Sequence, residues 1–172
     1  MVFKILYMRY AQIRKTDISN GPGIRASIFV QGCSFHCLNC FNSETWDFKG
    51  GKEFNKEDLD RLLIYGGDKH IAGLSLLGGE PLHEKNIDGV INICKSFKEK
   101  YPNKNIWLWT GFVYENLNDK QKEVLKYLDV LVDGQFVDSL KDFRLKYCGS
   151  SNQRVIDVKE SLKNNKICLY KQ

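Results

Sequence analysis

Three cysteines within eight residues constrain this chain more than any other feature of its sequence. Cys33, Cys37 and Cys40 follow a C-x3-C-x2-C spacing. They come directly after a short apolar run, residues 27–30, which we interpret as a buried strand. Thiols crowded at the end of a strand indicate a metal or cluster site rather than a disulfide framework.

Two kinds of metal site fit this spacing. An iron–sulfur cubane usually takes one cysteine thiolate per iron, so three thiolates leave one iron open for substrate. A structural zinc ion takes four ligands, and His36 is the nearby fourth donor. Because His36 adjoins Cys37, it is awkward for both side chains to reach one ion, and the spacing favours a cluster over zinc.

Composition sets broad limits on the class of protein. A chain of 172 residues with 42% apolar and 27% charged residues is typical of a globular protein, and we expect a single domain over residues 1–172. The apolar runs are too short for a membrane span. The net charge of +5 is spread along the chain and makes a weak case for nucleic-acid binding.

The cysteines and the N-terminal residues predict a location. Lys4 and Arg9 interrupt the first apolar run, which does not fit a secretory signal peptide. Six cysteines without such a signal indicate free thiols in a reducing compartment. We therefore expect a cytoplasmic protein.

Apolar periodicity predicts alternating strands and helices. The predicted strands cover residues 27–30, 72–77, 105–110, 129–133 and 154–158, with an additional N-terminal strand at residues 3–13; the predicted helices cover residues 55–64, 84–100 and 119–127. This alternation favours a parallel sheet with right-handed crossovers. About five to six parallel strands are too few for a closed eight-stranded barrel, so the predicted fold class is α/β with an open partial (β/α) barrel.

Polar or glycine-rich segments follow four of these strands. They are the cysteine loop, Gly78-Gly79-Glu80, Thr110-Gly111 and Asp133-Gly134. In parallel α/β folds the chemistry gathers at the carboxyl ends of the strands. The four segments therefore predict one active-site rim.

The order of these motifs resembles that of the radical S-adenosylmethionine (SAM) superfamily. The resemblance rests on the cysteine triad followed by Gly78-Gly-Glu-Pro81 after the next strand. Asn20-Gly-Pro-Gly-Ile-Arg25 and Gly149-Ser-Ser-Asn-Gln-Arg154 are similar to segments of activating enzymes of glycyl-radical proteins, in particular those that act on anaerobic ribonucleoside-triphosphate reductase. Matching motifs run from about residue 16 to about residue 157.

The resemblance implies a set of site residues. Cys33, Cys37 and Cys40 would bind three irons of a [4Fe–4S] cluster, and SAM would chelate the fourth iron. The remaining residues implied to lie at SAM are Gly78, Gly79 and Glu80 near its methionine part, Asn39, Cys40 and Phe41 near adenine, and Thr110, Asp133 and Asn152 at its ribose or carboxylate.

The resemblance also implies a function. The fold would be of the radical SAM type, and the enzyme would cleave SAM reductively and abstract hydrogen from a glycine of the reductase large subunit. A flavodoxin- or ferredoxin-type protein would supply the electron. The alternative is a radical SAM enzyme that acts on a small molecule, similar to a 7-carboxy-7-deazaguanine synthase, and a zinc module without enzymatic activity is the third reading.

Overall fold

The computed structural model describes residues 7–171. Its strands are β1 Arg9–Asp17, β2 Ile24–Val30, β3 Lys52–Glu53, β4 Ile71–Gly78, β5 Asn105–Trp109, β6 Val130–Asp133 and β7 Arg154–Asp157. Its helices are α1 Lys56–Gly67, α2 Ile87–Lys100, α3 Asp119–Lys122 and α4 Val158–Asn164. The seven strands form one sheet in the order β3-β1-β2-β4-β5-β6-β7, so the predicted α/β class is confirmed.

The centre of the sheet is parallel. β2, β4, β5 and β6 pair as parallel neighbours, with Phe29 beside Leu77 and Leu76 beside Leu108. Alternate residues of β2, such as Ile28 and Val30, are fully buried in the core shared with α1 and α2. The carboxyl ends of the parallel strands consequently meet at one edge, as the sequence predicts.

The outer strands correct the predicted number of parallel strands. β1 runs antiparallel to β2, and β7 runs antiparallel to β6, with Asp133 paired to Arg154. Four strands are therefore parallel, and the prediction of about five to six was wrong. A parallel return needs a long crossover, usually helical. The segment between β6 and β7 has only a short 3-10 turn, Asp138–Leu140, and it lines the cavity described below instead of crossing the sheet.

The helices follow the apolar periodicity, with one exception. α1 begins after Asn55, whose side chain accepts a hydrogen bond from the Asp58 N–H in a capping box. The segment predicted as one helix over residues 119–127 is helical only at α3 and then continues as a 3-10 helix, Glu123–Tyr127. Residues 3–6 of the predicted N-terminal strand lie outside the described residues. None of the helices in residues 7–171 has the length and apolar character of a membrane span.

Candidate metal centre

A cavity of about 490 Å³ lies at the carboxyl ends of the parallel strands. Phe29, Leu77 and Trp109, from the ends of β2, β4 and β5, form part of its wall. The segment from Gly134 to Gly149 contributes the wall on the other side. The predicted rim is therefore one continuous surface around a hollow large enough for a cofactor.

The three cysteines of the motif all line this cavity. Cys33 is buried, Cys37 and Cys40 are half-buried, and all three are free thiols. Within residues 7–171, no three His, Cys, Asp or Glu side chains converge as ligands of a single ion. A cubane takes one thiolate on each iron, so thiols distributed around a cavity are the donor arrangement it uses.

Backbone hydrogen bonds hold the start of the cysteine loop. The Gly32 N–H donates to the Thr45 carbonyl at 2.7 Å, and the Cys33 N–H donates to the Trp46 carbonyl at 3.1 Å. The Glu80 N–H donates to the Gly32 carbonyl at 2.8 Å. The cysteine loop is thereby tied both to its own continuation and to the loop after β4.

The backbone also turns sharply between the cysteines. His36 and Asn39 have φ angles of 49° and 56°, a region that ordinary side chains seldom occupy. Both positions lie between Cys33 and Cys40, so the chain changes direction within the motif. Strain of this kind is concentrated at functional sites.

The surroundings of Cys33 and Cys37 disfavour ionisation of their thiols. Burial raises the pKa of Cys33, and the Glu80 carboxylate adds to the increase, although N–H groups of Phe35 and His36 oppose it. Burial and the neighbouring Cys40 thiolate raise the pKa of Cys37. Bound iron would compensate the negative charge of the thiolates that ligate it. The donor set therefore fits an iron–sulfur group.

Gly78 and Gly79 allow the loop after β4 to pack against the cysteine loop. Gly78 has a φ of 105°, and a Cβ on Gly79 would stand 2.6 Å from the Gly32 carbonyl oxygen. A contact this short is not tolerated by any side chain. Both glycines line the cavity, but glycine is needed at these positions because the backbone of the protein itself packs closely against them.

Glu80 lies beneath this loop and is almost fully buried. Its Oε1 accepts hydrogen bonds from Thr110 Oγ1 at 2.6 Å and from the Leu82 N–H at 2.9 Å, and its Oε2 accepts from the Gly111 N–H at 2.7 Å. Burial raises the pKa of Glu80 to about 7, against the opposing effect of these donors. The carboxylate thus links the loops after β4 and β5.

The other predicted SAM contacts are divided between two places. Phe41 and Thr110 line the cavity with the cysteines. Asn39 is exposed, and its Nδ2 donates to Asp138 Oδ2 at 3.0 Å. Asp133 and Asn152 line an adjacent hollow of about 520 Å³.

The two residues of the adjacent hollow already have partners in the protein. Asp133 Oδ1 accepts from Arg154 Nε at 3.0 Å, and Asp133 Oδ2 accepts from the Tyr114 N–H at 2.8 Å. Asn152 Nδ2 donates to the Gln135 carbonyl at 2.8 Å. Their role at SAM stays a prediction.

Several aromatic cavity residues had no functional prediction from the sequence. Phe35, Trp46, Phe136 and Tyr147 line the cavity. The indole Nε1 of Trp46 is buried without a hydrogen-bond partner among residues 7–171. Such an atom costs about 1–3 kcal/mol of stability when it stays unpaired. Aromatic residues in a sequence normally indicate core packing. The only sequence feature that could have placed one of these four residues at the site is the position of Trp46 soon after Cys40.

The family to which the site belongs follows from comparison with known proteins. Residues 19–156 match the model of a family described as a 4Fe-4S single cluster domain. The chain therefore belongs to a class of domains that hold one iron–sulfur cluster. This class agrees with the three cysteine thiols that line the cavity.

Related proteins narrow the class further. The activating protein of anaerobic ribonucleoside-triphosphate reductase from Salmonella typhimurium is 43% identical over 150 residues, 86% of this chain and 97% of that protein. The proteins of the same name from Vibrio cholerae and phage T4 are 40% and 39% identical, covering 85% and 86% of this chain and 96% and 93% of their own lengths. The chain belongs to the family of anaerobic ribonucleoside-triphosphate reductase-activating proteins.

A solved structure also aligns with this fold. QueE from Escherichia coli aligns with a TM-score of 0.41 and 13% identity over 75% of this chain and 69% of that one. Similarity at this level carries no conclusion about function.

Proposed function

We propose that the chain is a radical SAM enzyme that generates a glycyl radical on anaerobic ribonucleoside-triphosphate reductase. The observation that carries this proposal is the arrangement of Cys33, Cys37 and Cys40 around one cavity at the carboxyl ends of the parallel strands. The names of the relatives supply the target protein. When bound, a [4Fe–4S] cluster and SAM supply the one-electron chemistry that prepares hydrogen abstraction from a glycine.

The residues of the chain bind and position these groups. Cys33, Cys37 and Cys40 would hold three irons of the cluster and would leave the fourth available to SAM. Gly78 and Gly79 bring backbone groups to the cavity wall, and Glu80 keeps that wall in register with Thr110. We retain Asn39, Phe41, Asp133 and Asn152 as proposed SAM contacts.

The architecture supports an open partial barrel within a single domain. Four parallel strands end at the cavity, and one core cluster packs both α1 and α2 against the sheet. We propose that residues 1–172 form one domain of the radical SAM type. An incomplete barrel leaves its mouth accessible to a segment of another protein.

The mouth of the cavity offers apolar surface to such a partner. Phe41 is 56% exposed and Phe143 is 83% exposed, and both line the cavity. Lys141 Nζ lies 5.4 Å from the centre of the Phe41 ring and 4.8 Å from that of Phe143. Radical chemistry requires that water be excluded, so we propose that the large subunit of the reductase covers these side chains when its glycine enters.

The remaining components follow from this chemistry. A flavodoxin- or ferredoxin-type protein would deliver the electron. The free thiols suit the reducing conditions of the cytoplasm, where we propose that the protein acts.

The test is an anaerobic mixture of the reconstituted protein, a reductant, SAM and the reductase large subunit. We expect the electron paramagnetic resonance (EPR) doublet of a glycyl radical on the reductase, together with consumption of SAM. The same mixture with the Cys37→Ala variant is the control and should give neither signal. SAM cleavage that depends on a small purine-like substrate, with no radical on the reductase, would contradict the proposal.

A further inference from the structure

The indole N–H of Trp46 is a hydrogen-bond donor without an assigned acceptor. Nε1 is buried and has no partner among residues 7–171. Two other buried side-chain atoms share this property, on Asn92 and Asn105, but neither residue lines the cavity. Trp46 does line it, together with the three cysteines.

The position of this indole is fixed by its neighbours. The Trp46 carbonyl accepts the Cys33 N–H at 3.1 Å, which joins the residue to the first cysteine. The Trp46 ring also stacks on the His36 imidazole, with centroids 4.5 Å apart and an interplanar angle of 11°. His36 precedes the second cysteine, so the ring is held against the segment from Cys33 to Cys37. A ring held in this way is not free to turn toward solvent for its hydrogen bond.

We propose that the Trp46 N–H donates a hydrogen bond to a sulfur atom of the cluster held by Cys33, Cys37 and Cys40, and thereby raises the reduction potential of that cluster. This inference rests on the proposed function, because it needs the cluster in the cavity. Sulfur is the acceptor that an iron–sulfur group presents to its surroundings, and hydrogen bonds to sulfur are one of the determinants of cluster potential. Reduction adds negative charge to the cluster, so a donor stabilises the reduced form more than the oxidised form.

Trp109 provides a matched comparison within the same cavity. It also lines the wall, but its Nε1 already donates to the Tyr147 carbonyl at 2.7 Å. Replacing either tryptophan with phenylalanine removes one indole N–H and keeps an aromatic ring. Only the change at Trp46 removes an indole N–H that has no hydrogen-bond partner among residues 7–171.

The experiment is an anaerobic redox titration of the reconstituted protein without SAM. The EPR signal of the reduced cluster is measured at each potential. At a fixed potential we expect Trp46→Phe to lower the ratio of reduced to oxidised cluster about tenfold, which corresponds to about 59 mV for a one-electron couple. The cluster of the Trp109→Phe variant should have the same reduction potential as the cluster of the wild type. A Trp46→Phe protein that holds its cluster and titrates at the wild-type potential overturns the inference.

A second measurement uses the wild-type protein and does not depend on the folding of a variant. With ¹⁵N placed in the tryptophan indoles, electron spin echo modulation of the reduced cluster should contain a coupling to ¹⁵N. A reduced cluster without this coupling overturns the inference and leaves the proposed function intact. A wild-type protein that cannot hold a [4Fe–4S] cluster overturns both.

Discussion

Glu80 Oε1 accepts a hydrogen bond from Thr110 Oγ1 at 2.6 Å, although the two residues are 30 positions apart in the chain. Glu80 follows β4 and Thr110 follows β5, so this bond joins the ends of two neighbouring parallel strands directly below the cavity. The same carboxylate accepts the Gly111 N–H. One buried side chain thereby sets the spacing of two loops that form the candidate site.

We expect Glu80→Gln to lower the free energy of unfolding by about 1–3 kcal/mol. An amide has one acceptor oxygen, so its NH2 group would face either the N–H of Gly111 or the N–H of Leu82, and neither can accept a hydrogen bond. Urea unfolding of the two proteins measures the difference. Glu84→Gln, at an exposed position of the same segment, is the control and should change stability by less than about 0.5 kcal/mol. Equal stability of Glu80→Gln and the wild type would show that the network is dispensable.

Removal of any one cavity cysteine should abolish cluster binding. We expect Cys33→Ala, Cys37→Ala and Cys40→Ala each to lose most bound iron and all SAM cleavage, because an iron is left without its thiolate. Iron and sulfide content after anaerobic reconstitution, with the visible absorbance of the cluster, checks this outcome.

The cysteines outside the motif provide the control for that series. Cys94→Ala, Cys148→Ser and Cys168→Ser should retain iron. Cys94 is buried in the core on α2, where burial raises its pKa, and Cys148 lines the cavity without belonging to the triad. Loss of the cluster from any of these three variants would mean that the set of ligands is incorrect.

Gly79→Ala should impair the cysteine loop directly. The new methyl group would meet the Gly32 carbonyl oxygen at 2.6 Å, one residue before Cys33. We therefore expect a lower iron content as well as weaker SAM binding, measured by reconstitution and by the effect of SAM on the cluster EPR signal.

Gly134→Ala is the matched change without a steric clash. Its φ of 96° costs about 1–2 kcal/mol for a residue with a Cβ, but the nearest atom to that Cβ is 3.7 Å away. We expect this variant to lose stability and keep its iron. If Gly79→Ala binds iron normally, the packing of the two loops is less tight than the structure indicates.

Asp129 should make stability depend on pH at the opposite end of the sheet. Burial alone would raise the pKa of Asp129, but hydrogen bonds from Lys159, Lys98 and the Ile106 N–H outweigh burial and hold that pKa below its usual value. A carboxyl whose folded-state pKa is lowered stabilises the protein above its unfolded-state pKa, and this contribution is lost as the pH falls through the folded-state value. The loss therefore begins below about pH 4.

The corresponding variant is Asp129→Asn. At pH 7 we expect it to unfold more easily than the wild type by about 1.5–3 kcal/mol, with the difference shrinking as the pH falls below 4. Urea unfolding at several pH values measures this. Asp60→Asn removes an exposed ion pair with Lys56, so it should have little effect at either pH. A constant difference for Asp129→Asn across this range would exclude the charge as its cause.

The sequence predicts the elements that depend on local patterns. Cysteine spacing after an apolar strand locates the candidate metal centre, and Asn55 marks the start of α1 through a capping interaction that is local in the chain. The sequence also indicates that Gly78 and Gly79 belong to the site. The need for glycine at these positions, however, comes from their contacts with Phe29 and Gly32 in a distant segment of the chain.

Features that depend on distant segments could not be predicted in the same way. The apolar pattern of β7 is the same for either strand direction, so only its pairing with β6 reveals that it runs antiparallel. Likewise, nothing local in the sequence indicates that Arg154 engages the carboxylate of Asp133, or that the indole N–H of Trp46 is buried without a partner among residues 7–171. These features arise from segments that meet only in the folded chain.

The outer edges of the sheet have a consequence for how copies of this protein meet one another. One edge is β3, only two residues long, with Lys52 and Glu53 both exposed and charged. At the other edge, Leu169 forms an antiparallel bridge to Ile156, and the Tyr170 N–H donates to the Val155 carbonyl, which partly occupies the backbone of β7. Short, charged or covered edges are poor templates for strand addition. The sheet edges at β3 and β7 are therefore poor sites for edge-to-edge aggregation, and another protein that binds at either of them has to use loops and side chains rather than a shared sheet.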